Sequence, residues 1–208
     1  MKKSTVLASL FAVFALTATA GVGKMLTNTA SAEISGLGTF KIEDGAAVRI
    51  TATEDIQDGL RFKVKMDATT VAKIVDANTV NGVEGTDAND DYKLYAVIAP
   101  VDVVTDNDFM NVEADHWVEI EESKIYYSTE NECYYANAVL TNVKEANRYR
   151  AFTMGAVIKN GTDSVWAEPA NEGYRTRSLY QTVNLAALSA DEDTAKILNN
   201  AGTTYKSW

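Results

Sequence analysis

Phe152-Thr153-Met154-Gly155-Ala156-Val157-Ile158-Lys159-Asn160-Gly161-Thr162-Asp163-Ser164-Val165-Trp166 is the stretch on which the fold turns. Phe152, Met154, Ala156 and Ile158 recur at every second position, the period of a β-strand, in a run from Tyr149 to Lys159. Asn160-Gly161 follows, a pair that tolerates the positive φ angles of a tight hairpin turn, and Ser164-Val165-Trp166 runs back. The stretch therefore predicts two antiparallel strands.

The same pattern extends towards the N-terminus. Tyr134–Val143 reads as a long strand, and Trp117–Glu121 and Lys124–Ser128 as shorter ones. Lys93–Ala99 is apolar on both faces, which predicts a central strand that Pro100 ends. Leu60–Met66 alternates, with Phe62, Val64 and Met66 facing one way and Arg61, Lys63 and Lys65 the other; Ala47–Thr51 alternates through Val48 and Ile50. Between these, Thr69–Ala77 carries Val71, Ile74 and Val75 at helical spacing, and Asn78–Asp91 is a polar loop. Past Trp166 the period changes. Leu179, Val183, Ala186 and Ala187 are helically spaced from about Thr176 onward. Ser189 and Glu192 match a capping box opening a second short helix, through Ala195, Ile197 and Leu198, that Gly202 is expected to end. The expectation is a mainly β chain: a β-sandwich, Ig-like in general architecture, with a short internal helix and a C-terminal helical appendage. The sheet core spans about 40–168 and the helical end about 174–202.

Residues 1–32 read as a signal peptide. Met1-Lys2-Lys3 is followed by an uncharged apolar run from Val6 to Val22 and by the small-residue site Ala30-Ser31-Ala32. Residues 33–208 then form one globular domain, expected to be secreted and free of the membrane. No Cys follows the apolar run and no second apolar span precedes Trp208, so release or non-covalent association with a cell wall is expected rather than covalent anchoring.

The chain has 208 residues with 19 Lys and Arg against 29 Asp and Glu, a formal net charge of −10. Such an acidic chain is a poor partner for nucleic acid, which is held through basic patches. Cys133 is the single cysteine, which excludes an intrachain disulfide, and His116 the single histidine.

Candidate sites come from local spacing. Asp87, Asn89 and Asp91 fall at the first, third and fifth positions of a calcium loop. Tyr92 stands where an EF-hand needs Gly, and Ile98 where it needs a bidentate acid, so only a looser calcium site is on offer. Asp102, Asp106 and Asp108 are a second such group. Glu119, Glu121 and Glu122 are the carboxylates available for glycoside hydrolysis; Val118 and Ile120 are expected to face inward beside them. Arg49, Arg61, Lys63 and Lys65 form a basic stripe on outward strand faces. It is suited either to an anionic polymer or to cross-strand pairing with acids. Trp117, Trp166 and Trp208, with Tyr126, Tyr127, Tyr134 and Tyr135, offer either sugar-stacking platforms or packing.

Several signposts occur in a recognisable order: Gly45-Ala46-Ala47-Val48-Arg49-Ile50, Gly59-Leu60-Arg61-Phe62, Tyr95-Ala96-Val97-Ile98-Ala99-Pro100, Leu140-Thr141-Asn142-Val143, Tyr149-Arg150-Ala151-Phe152 and Arg177-Ser178-Leu179. Over residues 45–185 the chain resembles a module of secreted and surface proteins of Gram-positive, often gut, bacteria. The resemblance carries no established activity and so implies no catalytic residues. It implies structural roles for Arg49, Arg61 and Arg177, at least one of which would dock the helical end on the sheet. The expected function is that of a non-catalytic extracellular module binding a cell-wall or host glycan, a wall polymer or a surface protein. A carboxylate-dependent extracellular hydrolase is the alternative.

Overall fold

The computed structural model describes residues 34, 36–49, 59–75, 82–85, 92–104, 108–161, 163–169 and 177–206. Residues 1–32, the loop carrying Asp87, Asn89 and Asp91, and Trp208 lie outside them. The strands are β1 (Phe40–Ile42), β2 (Leu60–Met66), β3 (Lys93–Pro100), β4 (Trp117–Ile120), β5 (Ile125–Ser128), β6 (Cys133–Leu140), β7 (Phe152–Asn160) and β8 (Asp163–Trp166). The helices are α1 (Ala68–Ile74), α2 (Leu179–Ser189) and α3 (Glu192–Lys206). Two antiparallel four-stranded sheets face each other, ordered β1-β2-β6-β5 and β4-β3-β7-β8. The architecture is the expected β-sandwich with its helical end.

Alternation explains the layers. Leu60, Phe62, Val64 and Met66 of β2, with Tyr134, Ala136 and Ala138 of β6, meet Leu94, Ala96 and Ile98 of β3 and Phe152, Met154, Ala156 and Ile158 of β7 in one core. Leu179, Val183 and Leu198 bring the helical end into the same core. β3 is central, as its two apolar faces predict: β4 and β7 flank it, and Val97 and Ala99 are as buried on the outer side as Leu94 and Ala96 on the inner.

The sandwich is closed on one side. The Ile42 amide donates to the Glu168 carbonyl at 2.9 Å and the Glu168 amide to Phe40 at 3.0 Å, so the chain just past β8 pairs with β1 across the two sheets. On the other side β4 and β5 are joined by a single 3-10 turn, Glu122–Lys124. The β7–β8 hairpin turns at Gly161, whose φ is +55°, as the Asn-Gly pair predicts.

Three local expectations need correction. The capping box at Ser189 and Glu192 does not form: Ser189 is the last residue of α2, and Asp191 caps α3 by accepting from the Thr194 amide at 3.0 Å. The box sits one helix earlier, where Ser178 and Gln181 satisfy each other's amides, both at 3.1 Å. Gly202 does not end α3, which runs on to Lys206. It lies against α2, where an added Cβ would stand 3.2 Å from Asn184 Oδ1. The strand expected over Ala47–Thr51 is, among its described residues, a single bridge between Ala47 and Arg61.

α1 depends on Asp67. Its carboxylate accepts the Thr70 amide at 2.9 Å as the N-cap and also the Thr39 amide at 2.7 Å, tying the chain ahead of β1 to the start of the helix. Burial works to raise this carboxyl, but the amides of Thr39 and Thr70 and the Thr70 side chain outweigh it and hold the pKa below the ordinary 3.8. A depressed folded value means that the ionised cap stabilises fully above the unfolded value of 3.8 and stops doing so as the pH falls through the lower folded value. Asp67→Ala is expected to cost about 1–2 kcal/mol at neutral pH, as a lost N-cap does. Chemical denaturation across pH should show the gap to the parent narrowing in acid; a pH-independent gap would refute the ionised cap.

Candidate functional site

The sequence-predicted binding residues fall on the two opposite outer faces of the sandwich. Arg61, Lys63 and Lys65 project together from the outer side of β2, because Leu60, Phe62, Val64 and Met66 take the inner side. Register decides their neighbours. Lys65 stands opposite Lys41 on β1 and Tyr135 on β6, Lys63 opposite Asn137, and Arg61 opposite Val139. Arg61 also pairs through its backbone with Ala47, and Arg49 joins it around a cleft of ≈ 140 Å³ bordered by Gly59 and Val139. The face thus gathers Lys41, Arg49, Arg61, Lys63 and Lys65, all exposed or half-exposed.

Among the described residues none of the five lies in an ion pair; the pairs formed elsewhere include Lys93–Glu119, Arg148–Glu145 and Arg150–Asp102. The register sets Lys41, Tyr135, Asn137 and Val139 against them, with Glu43 just past β1 opposite Lys63. Lys63 Nζ lies 5.0 Å from the centroid of the Tyr135 ring, and Tyr126 packs on Tyr135 at 5.9 Å. A hydrogen bond with the Cys133 side chain, then burial and the nearby Glu43 charge, push the Tyr135 hydroxyl well above its ordinary pKa of 10. That ring therefore stays neutral beside the cations, and Glu43, opposite Lys63, brings an acidic side chain to the same face. Asn137, directly beside Lys63, has a buried amide oxygen without a hydrogen-bond partner.

Trp117 and Trp166 meet on the opposite face. β4 and β8 flank the central pair, and the register places Trp117 against Val97 and Trp166 against Val157. The indoles contact edge-to-face at 5.8 Å. Phe109, from a 3-10 turn at Phe109–Asn111, stacks on Trp166 at 5.9 Å and covers a second small core with Val97, Ala99 and Val112. Trp117 Nε1 donates to the Val112 carbonyl at 3.2 Å, and Lys159 Nζ lies 5.1 Å from its ring centroid. These rings are engaged by each other, by Phe109 and by Lys159, which is the packing role that aromatic side chains on a sheet also fill. Sequence inspection missed Phe109, an isolated apolar residue in a polar segment. Trp166 also borders a cleft of ≈ 670 Å³ with Glu168 and the segment 36–40.

Glu119, Glu121 and Glu122 border one shallow cleft of ≈ 420 Å³ with Tyr92 and Lys93. Glu119 is held by Lys93 at 3.0 Å and by the Tyr95 hydroxyl at 3.3 Å. Ile120 faces inward and is buried, whereas Val118, opposite Ala96, remains 47% exposed because β4 is an edge strand. Asp102 is paired with Arg150 at 2.8 Å, and Asp108 caps the Phe109 turn through the Met110 amide at 2.9 Å. Among the described residues no group of three His, Cys, Asp or Glu is disposed to hold a metal ion.

Of the three arginines given structural roles, Arg177 stands where the helical end begins. Its backbone bonds Phe152 of β7 in both directions at 2.9 Å, and its guanidinium lies beside Gly45. Arg49 and Arg61 belong to the basic face.

Fold and faces together define a β-sandwich with one cationic and one aromatic outer surface. No family model matches the chain, and no curated protein or solved structure shows significant similarity to it.

Proposed function

We propose that the protein is a non-catalytic extracellular module whose outer β2 face binds an acidic glycan or wall polymer. The observation that carries this reading is a row of cations that form no ion pair among the described residues, in a chain of net charge −10. The register brings Glu43 opposite Lys63, yet no ion pair joins the two, and the cations gathered on this face suit a charge-complementary ligand. Residues 1–32 support the extracellular address.

Binding of the chain to acidic and neutral glycans and wall polymers, measured alongside product release, tests the reading. Acidic ligands are expected to bind without turnover, more weakly as salt rises, and to be lost from Lys63→Glu/Lys65→Glu at unchanged melting temperature. Equal binding by that variant would sink the assignment of the face. Turnover abolished by substitution of Glu119, Glu121 or Glu122 would replace it with the hydrolase reading.

A further inference from the structure

We propose that the outer face of the first sheet binds a linear polyol phosphate laid along β2, with one phosphodiester on each of Arg61, Lys63 and Lys65. This rests on the binding role proposed above and narrows its ligand. Residues two apart on a strand point the same way and repeat every 6.4–6.8 Å or so. Two residues of strand comprise six backbone bonds. The repeat of a glycerol phosphate chain, from phosphorus through oxygen, three carbons and oxygen to the next phosphorus, also comprises six. Extended chains of similar bond lengths and equal bond count have similar reach, roughly 6.6–7.2 Å here. Successive phosphates can therefore stay in step with successive cations. Inorganic polyphosphate has two bonds per repeat and crowds its charges closer together, whereas in a polyuronate a sugar ring sets the repeat.

The flanking cations fit the same geometry. Lys41 lies across from Lys65, and Arg49 shares the small cleft with Arg61, so the phosphates at both ends of the row meet two cations each. An arginine fork accommodates two oxygens of one phosphodiester.

A single-stranded nucleic acid has the same six-bond backbone, and the aromatic side chains separate the two. Base binding needs open ring faces for stacking. Tyr135 is only 5% exposed, with Lys63 over its ring and Tyr126 packed against it. The face offers charge in register with the Tyr135 ring already covered, which suits a polymer without bases.

Calorimetric titration of the full chain with synthetic glycerol phosphate oligomers of one to six repeats tests this. Affinity is expected to climb with each repeat up to three and then to level off. Lys63→Glu/Lys65→Glu should bind a long oligomer roughly thirtyfold more weakly, with Lys63→Gln/Lys65→Gln intermediate, so that a folding defect in one variant does not decide the outcome. Oligothymidylate of equal phosphate number should bind no more tightly, because the covered Tyr135 ring adds no stacking to its phosphate contacts. Oligothymidylate binding about tenfold or more tightly than the glycerol phosphate oligomer would overturn the polyol assignment in favour of nucleic acid. Polyuronate and glycerol phosphate bound alike, with no dependence on repeat number, would overturn the register argument and leave the face's binding role standing. Binding indifferent to both variants, or none to any polyanion, would overturn both.

Discussion

Gly59→Ala is expected to destabilise the fold strongly for a change of one methyl group. A Cβ at Gly59 would stand 2.4 Å from the Leu140 carbonyl oxygen and 3.4 Å from the Thr141 Cα. Both are backbone atoms where β2 and β6 pair, with Leu60 opposite Leu140. A side chain can rotate away from a methyl group, but a carbonyl inside a ladder cannot without giving up its register. The substitution should cost about 3 kcal/mol and lower the melting temperature by roughly 6–12 °C for a domain of this size. Gly202→Ala provides the contrast: its nearest neighbour is the end of the Asn184 side chain, at 3.2 Å, which can move. Differential scanning calorimetry on both variants checks the claim; equal melting temperatures would show that the ends of β2 and β6 relax freely.

Phe109→Ala is expected to open the aromatic face. Phe109 is 2% exposed and lies over Gly155, where an added Cβ would meet the Phe109 ring at 2.8 Å and Trp166 at 2.9 Å. The glycine thus leaves the recess that the two rings fill. Removing the phenyl group should cost about 3–5 kcal/mol, as large-to-small changes of buried aromatics do. It should also let water reach Trp117 and Trp166, shifting tryptophan emission to longer wavelength before the main unfolding transition. An unchanged spectrum with unchanged stability would mean that the turn merely rests on the sheet.

How far these features are legible in the sequence depends on their range. β2 and β7 announce themselves because alternation is local: each buries its apolar set on one side, and neighbouring residues suffice to see it. β3 is legible for the same reason, its two apolar faces requiring cover on both sides. The cover on the outer side is not. Phe109 sits alone among polar residues, and only the tertiary fold brings it over Gly155. The cationic row along β2 could be read from Arg61, Lys63 and Lys65, but that they form no ion pair among the described residues could not. That depends on β6 presenting Tyr135, Asn137 and Val139 in register, a long-range pairing no spacing rule reveals. The helix caps erred by a different route: Ser189-x-x-Glu192 has the right residues, but α2 extends through Ser189 and leaves Asp191 to open α3.

The pairing of Ile42 with Glu168 carries a consequence for how the chain reaches its folded form. The partners that seal one side of the sandwich are separated by more than half of the sequence. Closing so large a loop costs entropy that only long-range contacts return, which makes such topologies slow to assemble. Until the segment after β8 has been made and delivered, the backbone groups of β1 on that side have no partner, and a strand left in that condition is a template for pairing with another chain. A fragment ending before Glu168 cannot complete the ring, so the native closure belongs to the nearly finished polypeptide and not to its N-terminal half.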